Sequence, residues 1–244
     1  MHQYGLIGYP LTHSFSKKFF TEKFEREALA DVSFHLFPLE SIHDFPELIS
    51  LHPNLSGLAV TIPYKQSVME YLHELSPEAA EMGAVNCIKI SSGRRKGYNT
   101  DAFGFEQTFL PMLQPHHQRA LVLGDGGASK AVQYVLQKNR IPFTVVSRHP
   151  AKDNLLYSDI DHSILQSHPI IINCTPLGMH PEEAGCPDLP YHAVGKQHLL
   201  YDLIYNPSQT EFLKRGARQG AATRNGYPML VCQAEKNWQI WNED

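Results

Sequence analysis

The stretch ALVLGDGGAS, residues 120–129, places four consecutive apolar residues directly before a turn rich in glycine. Residues with helical propensity follow it from Lys130 to Gln137. A buried strand, a glycine turn and a helix in this order are typical of the first βα unit of a dinucleotide-binding fold. Such glycines let the backbone approach a pyrophosphate, whose charge is stabilised at the helix N-terminus. The stretch therefore predicts a Rossmann-like unit, with a tight βα turn that binds no ligand as the alternative.

The residues around this turn are candidates for cofactor binding. Within the turn they are Gly124, Gly126, Gly127, Ala128 and Ser129. The next strand-like run ends in Ser147-Arg148, where enzymes that use NAD place an acidic residue on the ribose 2′-hydroxyl. Arg148 can instead pair with a 2′-phosphate through two parallel hydrogen bonds, so the sequence favours NADP. The alternative for Arg148 is an ordinary solvated arginine.

Asp125 lies inside the glycine turn, and a carboxylate there has the same sign of charge as a pyrophosphate. Two outcomes are consistent with a folded dinucleotide site. Either the side chain points to solvent, or it weakens the binding of the cofactor.

Short apolar runs alternate with helix-like stretches along the chain, which predicts an α/β fold with mainly parallel sheet. Strands are predicted at 4–7, 33–38, 57–61, 120–123, 142–147, 170–173, 199–203 and 221–223, and a hairpin at 85–98. Helices are predicted at 17–27, 77–82, 102–108, 130–137 and 228–241, and a further helix is expected to begin at Pro63. We predict two domains. Residues 1–101, completed by a C-terminal helix at 225–244, form a substrate domain, and residues 102–224 form a Rossmann-like NADP-binding domain. The active site is expected in the cleft between them.

The composition excludes several classes of protein. The 244 residues are 42% hydrophobic, which is enough for a substantial core. The 21 basic and 25 acidic residues give a net charge of −4, unlike proteins that bind nucleic acid or an anionic membrane surface. Apolar runs are too short to span a membrane, and Gly8 and Pro10 interrupt the start of the chain before a signal-peptide core could form. We predict a cytoplasmic monomer or homodimer whose partner is a small molecule.

The cysteines and histidines give little support for a metal site or disulfides. The four cysteines include no close pair, which predicts reduced thiols. The 14 histidines show no spacing typical of zinc ligands. We therefore predict that the chain binds no metal ion.

Several motifs, taken in order, resemble those of the shikimate dehydrogenase family, and together they span nearly the whole chain. GYPLTHSFS at 8–16 is similar to the family's G-x-P-x-x-H-S-x-S, and AVTIPYK at 59–65 to its N-V-T-x-P-x-K. The other matching stretches are GAVN at 83–86, GYNTD at 97–101, NCTPLGM at 173–179, DLIYNP at 202–207, and NG at 225–226 followed by MLVCQA at 229–234. The chain departs from the usual family residues at Lys17 (proline), Ala59 (asparagine) and Asp125 (a small residue).

The resemblance implies specific roles for residues of this chain. Lys65 and Asp101 would be the catalytic pair that handles the proton during carbonyl reduction. Substrate-binding residues would be Ser14, Ser16, Thr61, Asn86, Tyr205 and Gln233. Cofactor-binding residues would include, besides the glycine turn, Ser147, Arg148, Thr175, Leu203, Gly226 and Met229. The implied activity is the reversible, NADPH-dependent reduction of 3-dehydroshikimate to shikimate, in chorismate and aromatic amino acid biosynthesis.

Taken singly, these residues have simpler explanations. The serines at 14 and 16 suit a turn that caps a helix at Lys17, Lys65 suits a solvated position, and Asp101 suits a helix cap. At the level of the whole chain, two alternatives stay open. One is a relative that acts on quinate or an aminoshikimate, and the other is a non-catalytic nucleotide-binding protein on the same scaffold.

Overall fold

The structure, a computed structural model of the chain, describes residues 2–11, 14–149 and 154–243. These residues form two compact units, each built around a six-stranded sheet. The first unit contains the chain up to Thr100 and again from Gln233, and the second contains Asp101–Cys232. The change back to the first unit falls inside the last helix, because residues of its second half, such as Trp241, join the core of the first unit. None of the described helices is both long and apolar enough to cross a membrane.

The first unit contains a mixed sheet with the strand order β2-β1-β3-β5-β6-β4. Its strands are β1 (His2–Gly8), β2 (Val32–Pro38), β3 (Leu55–Val60), β4 (Glu74–Leu75), β5 (Cys87–Ser91) and β6 (Arg94–Tyr98). Its complete helices are α1 (Phe15–Arg26), α2 (Phe45–Leu51) and α3 (Pro77–Met82). β5 is antiparallel to both of its neighbours, and the other pairs are parallel.

The hairpin predicted at 85–98 is confirmed as β5 and β6. Ser92 and Gly93 connect the two strands with φ angles of 49° and 75°. Positive φ at both central residues is the signature of a two-residue type I′ turn, whose twist matches that of the paired strands.

The helix predicted to begin at Pro63 is wrong. Residues 61–66 form turns, and a short 3-10 helix follows at Ser67–Tyr71. The reason is that backbone groups of this segment are engaged elsewhere. The carbonyl of Lys65 accepts a hydrogen bond from the amide of Val85 at 2.7 Å, and the amide of Met69 donates to Gln66 at 3.1 Å rather than to Lys65 as an α-helix would require.

The C-terminal segment packs over the sheet of the first unit. Trp241 lies in the buried cluster with Tyr4 and Phe20, and its indole Nε1 donates to the carbonyl of Ile88 at 3.0 Å. A Cβ atom on Gly57 would lie 2.3 Å from the indole ring, so only glycine permits this approach. The last helix is therefore part of the core of this unit although it is far away in sequence.

The second unit has an entirely parallel sheet with the order β12-β11-β10-β7-β8-β9. Its strands are β7 (Ala120–Leu123), β8 (Phe143–Ser147), β9 (Asn154–Leu156), β10 (Ile170–Asn173), β11 (Leu199–Asp202) and β12 (Ala222–Arg224). The helices are α4 (Thr100–Phe109), α5 (Gly127–Lys138), α6 (His162–Ser167), α7 (Glu211–Arg218) and α8 (Tyr227–Asn242), of which α4 and α8 continue into the first unit. Counted from its own first strand, the order is 3-2-1-4-5-6, which is that of the Rossmann fold and confirms the predicted fold class.

Candidate functional site

The glycine turn of the second unit follows β7 directly and leads into α5. Gly124 has a φ of +100°, which favours glycine, and its amide donates to the carbonyl of Val146 at 2.8 Å. Gly126 and Gly127 differ, because a Cβ atom on either would meet no atom of the described residues within 4 Å. The fold thus requires the first glycine, while the other two leave open space at the N-terminus of α5. That space, together with the N-terminus of α5, where Gly126 provides no side-chain cap, suits a pyrophosphate.

A cavity of about 240 Å³ lies beside this turn, at the carboxyl ends of β7, β8 and β10. Ligands of open parallel sheets bind at this edge, where the strand order reverses. Five predicted cofactor residues line the cavity: Gly124, Gly126, Ser147, Arg148 and Thr175. Its other lining residues are Asp125, Val146, His149, Tyr157, Cys174, Pro176 and Leu177. Cys174, Pro176 and Leu177 belong to the motif that contains Thr175, whereas no sequence pattern pointed to Tyr157.

Tyr157 contributes a buried hydroxyl to the cavity. Its Oη atom is shielded from solvent and has no hydrogen-bond partner among the described residues. Burial raises the pKa of Tyr157 to about 12, with smaller effects from Cys174, from the positive charge of Arg148, which opposes the rise, and from Asp125. The hydroxyl is therefore neutral at physiological pH and can donate a hydrogen bond. A buried donor without a partner is costly, so a polar ligand group would stabilise it.

Asp125 makes a specific contact in this cavity. Its Oδ2 atom accepts a hydrogen bond from the hydroxyl of Ser147 at 2.8 Å. Ser147 lies at the end of β8 and is buried, and its Oγ atom also accepts from the amide of His149 at 3.2 Å. The carboxylate is thus held at the end of β8, although Asp125 is an exposed residue.

A buried polar network supports the loop that contains Thr175. Asn173 accepts hydrogen bonds on Oδ1 from the amide and hydroxyl of Thr175, at 3.0 and 2.7 Å, and donates to Asp202 at 3.0 Å. Asp202 also accepts from Thr210 and from the amide of Ile204. Desolvation raises the pKa of Asp202 to about 6, and these three hydrogen bonds act in the opposite direction.

The remaining predicted cofactor residues do not line this cavity. They are Gly127, Ala128, Ser129, Leu203, Gly226 and Met229. The hydroxyl of Ser129 turns back to its own helix and donates to the carbonyl of Gly126 at 2.8 Å. Leu203 and Gly226 lie in contact, because a Cβ atom on Gly226 would be 2.1 Å from the carbonyl oxygen of Leu203. Met229 lies in α8 and is buried.

In the first unit, Asn86 connects three of the predicted motifs. Its Nδ2 atom donates to Oε1 of Gln233 at 3.0 Å, and its Oδ1 atom accepts from the amide of Thr100 at 2.6 Å. The hydroxyl of Thr100 donates to Asn237 in α8 at 2.6 Å. Asn86, Thr100 and Asn237 are buried, with 2%, 1% and 2% of their surfaces exposed, whereas Gln233 is half-buried.

Lys65 is joined to the same region through its backbone, since its carbonyl accepts from the amide of Val85, the residue before Asn86. Thr61 lies at the start of the same segment, and its amide donates to the carbonyl of Ile7 at 2.9 Å. Lys65 and Thr61 are both half-buried. This long-range backbone contact brings the motif that contains Lys65 next to the motif that contains Asn86.

The N-terminal cap of α1 differs from the one that the sequence predicted for a helix beginning at Lys17. Ser14 is the N-cap, and its Oγ atom accepts from the amide of Lys17 at 3.2 Å. The helix begins at Phe15, two residues before the predicted start, and Ser16 lies in its first turn. Thr12 and His13 of the same motif lie outside the described residues.

Of the predicted catalytic and substrate-binding residues, Asp101 and Tyr205 lie in the second unit. Asp101 directly follows Thr100 and lies in the first turn of α4, where a negative charge is favourable to the helix. Tyr205 lies in the loop after β11 and is partly exposed, and burial raises its pKa. Within the described residues, no group of three or more His, Cys, Asp or Glu side chains could hold a metal ion.

The Rossmann strand order, the glycine turn and the adjoining cavity define a dinucleotide-binding α/β protein with a second α/β unit. Residues 6–88 match the family model for the shikimate dehydrogenase substrate binding domain. The chain is 34% identical to the NADP(+) shikimate dehydrogenase of Methanococcus maripaludis, covering 97% of this chain and 90% of the relative. It is 36% identical to the corresponding protein of Carboxydothermus hydrogenoformans, with the same coverage. The chain belongs to the shikimate dehydrogenase family.

Solved structures agree with this assignment. Shikimate 5-dehydrogenase of Thermus thermophilus, in complex with NADP(H) and shikimate, matches with a TM-score of 0.88 and 27% identity, over 99% of this chain and 94% of that one. A chorismate mutase/shikimate 5-dehydrogenase fusion protein of Clostridium acetobutylicum matches with a TM-score of 0.86 and 36% identity, over 99% of this chain and 91% of that one.

Proposed function

We propose that the protein is an NADP-dependent shikimate dehydrogenase, which catalyses the reversible reduction of 3-dehydroshikimate to shikimate. The observation that best supports this activity is the buried network around Asn86, which joins the motifs of Asn86, Thr100 and Gln233. It gathers polar groups from three separate parts of the sequence in one unit. Such convergence is expected when the groups serve one small polar ligand.

The cofactor fits the second unit. When bound, NADPH would supply the hydride. The open space beside Gly126 and Gly127 accommodates the pyrophosphate, and Ser147 and Arg148 lie where the adenosine ribose and its phosphate would be held. Thr175 contributes a hydroxyl to the same cavity. The other residues that we propose to act on the cofactor are Ala128, Ser129, Leu203, Gly226 and Met229.

Lys65 and Asp101 are proposed to handle the proton. During reduction, negative charge develops on the substrate oxygen, and the ammonium of Lys65 would donate a proton to it. The carboxylate of Asp101 would accept a hydrogen bond from the resulting hydroxyl and orient it. In the oxidative direction the same groups act in reverse, with Lys65 as the base.

The substrate carboxylate and hydroxyls are assigned to the polar groups of the first unit. Ser14 and Ser16 would bind the carboxylate, and Thr61 a ring hydroxyl. Because Oδ1 of Asn86 accepts from Thr100 and Oε1 of Gln233 accepts from Asn86, these two side chains would contact hydroxyls through their amide N–H groups. Tyr205 of the second unit is proposed as a further substrate contact.

The activity is tested by mixing the purified protein with shikimate and NADP⁺ and following the absorbance band of NADPH. We expect this absorbance to rise with time, and more slowly with quinate in place of shikimate. If the absorbance stays constant with shikimate and either NADP⁺ or NAD⁺, the proposed function is wrong. A faster reaction with quinate would instead assign the chain to the quinate-using relatives. The cytoplasmic location and the monomeric or homodimeric state stay predictions.

A further inference from the structure

Ser147 has no proton left to offer a ligand in the state that the structure shows. A serine hydroxyl carries a single proton, and that of Ser147 is donated to Oδ2 of Asp125 at 2.8 Å. The same oxygen accepts from the amide of His149 at 3.2 Å. Ser147 is 2% exposed, so its hydroxyl is shielded from water, although Asp125 itself is exposed. Asp125 therefore adds a negative charge to the cavity and also accepts the one proton that the hydroxyl of Ser147 can donate.

These two residues lie where the two cofactors differ. Ser147 ends β8, the strand next to the one that leads into the glycine turn, and the adenosine ribose of a bound dinucleotide lies at this strand end. NAD has a hydroxyl at the ribose 2′ position, whereas NADP has a phosphate there. Among the described residues that line the cavity, Arg148 is the cation that can attract the phosphate and Asp125 is the anion that opposes it.

The chemistry of a carboxylate distinguishes these two groups. An ionised carboxylate only accepts hydrogen bonds, so it can bind the 2′-hydroxyl of NAD, which donates. It repels a 2′-phosphate by Coulomb's law, while the guanidinium of Arg148 attracts it. Tyr157 also lines the cavity, but its pKa of about 12 keeps it uncharged, so it does not discriminate between the two cofactors by charge.

We propose that Asp125 is a specificity-determining residue that lowers the preference of this chain for NADP over NAD. The inference rests on the proposed function for the identity of the cofactor. It assigns to Arg148 the attraction for the 2′-phosphate and to Asp125, held in place by Ser147, the opposing effect. The protein then oxidises shikimate with both cofactors, and the carboxylate of Asp125 keeps the ratio of the two rates low.

The test compares the wild-type protein with Asp125→Asn, which keeps the size and an acceptor oxygen for Ser147 but removes the charge. The ratio of kcat/KM for NADP⁺ to that for NAD⁺ is measured with shikimate. We expect the ratio to rise about tenfold in the variant, as removal of one nearby like charge predicts. Asp188→Asn is the control, since Asp188 is exposed and does not line the cavity, and its ratio should equal that of the wild type. An unchanged ratio in Asp125→Asn overturns the inference.

A second measurement requires no turnover. Isothermal titration gives the affinities of the same proteins for 2′,5′-ADP and for 5′-AMP, which differ only in the 2′-phosphate. We expect Asp125→Asn to bind 2′,5′-ADP about tenfold more tightly than the wild type and 5′-AMP no more tightly. A protein that oxidises no shikimate but shows this change would contradict the proposed function and support the inference. Equal affinities of wild type and variant for 2′,5′-ADP would overturn the inference even in an active enzyme.

Discussion

Asn86 donates a hydrogen bond from Nδ2 to Oε1 of Gln233 at 3.0 Å, although 147 positions separate the two residues in sequence. The contact exists because the second half of α8 packs on the sheet of the first unit. Asn86 is buried and Gln233 is half-buried, so the pair connects the interior of the unit with its surface. Loss of the buried partner, Asn86, is therefore expected to lower the stability of the protein.

Asn86→Ala should destabilise the protein. The substitution removes the acceptor of the Thr100 amide, which is buried, and the donor to Gln233. A buried polar group left without its partner costs about 1–3 kcal/mol, and we expect a decrease of about 2 kcal/mol in the free energy of unfolding. Urea denaturation of wild type and variant measures it. Asn54→Ala, at an exposed position, should change the free energy by less than about 0.5 kcal/mol. Equal losses in the two variants would contradict the role given to Asn86.

Lys65→Ala should abolish turnover and leave the fold intact. A positioned proton donor accelerates a reaction by about 10²–10⁴-fold, so kcat should fall by at least about a hundredfold. The contact that the backbone carbonyl of Lys65 makes with Val85 is retained in the variant. Steady-state kinetics measure the activity, and circular dichroism with thermal denaturation measures the fold. Lys18→Ala is the matched control, because the side chain of Lys18 is 78% exposed, and its kcat should be that of the wild type. Near-normal turnover in Lys65→Ala would remove this residue from the mechanism.

The contribution of Asp202 to the stability of the protein should fall as the pH rises from about 4 to about 6. Its pKa is about 6 in the folded state against an ordinary value of 3.8, so the folded state holds this proton more tightly than the unfolded state. Stability contributed by the bound proton is complete below pH 3.8 and is lost as the pH rises through the folded pKa. At about 1.4 kcal/mol for each pH unit between the two pKa values, the loss is about 3 kcal/mol.

Asp202→Asn tests this dependence, because an amide does not titrate. The difference in unfolding free energy between wild type and variant, measured in urea at a series of pH values, removes the contribution of the other carboxyl groups. We expect this difference to change by about 3 kcal/mol across the window and to be constant above it. A difference that is independent of pH would show that the carboxyl of Asp202 is ionised in the folded protein throughout.

Substitution by alanine should lower the stability of the protein at one glycine of the second unit and leave it nearly unchanged at another. Gly226→Ala places a Cβ atom against the carbonyl of Leu203, and such overpacking costs about 1–3 kcal/mol of stability. Gly127→Ala places a Cβ atom in open space at the first position of α5, so the stability should change by less than about 0.5 kcal/mol. If the pyrophosphate occupies that space, the same variant should bind NADP⁺ at least about tenfold more weakly. Thermal denaturation and fluorescence titration measure the two effects, and undiminished affinity in Gly127→Ala would place the pyrophosphate elsewhere.

Local sequence pattern was sufficient for much of the fold. β7 and β10 lie exactly where the apolar runs predicted them, and α3 begins at Pro77 and ends at Met82 as expected. These elements are either buried on both faces or bounded by capping residues, so their limits are set by nearby residues. By contrast, β4 and β9 contain two and three residues and have no detectable period of their own. They form because each pairs with the edge of a neighbouring strand, β4 with β6 and β9 with β8.

For the candidate site, local sequence was sufficient to predict the glycine turn, its position between β7 and α5, and the order of the family motifs. These are properties of neighbouring residues. The position of the Asp125 carboxylate depends on tertiary packing, because the hydroxyl that it binds, that of Ser147, belongs to another strand. The same packing brings Tyr157 to the cavity beside the glycine turn and Asn86 into contact with Gln233. Contacts between distant parts of the chain depend on how strands and helices pack, and local pattern contains no information about that packing.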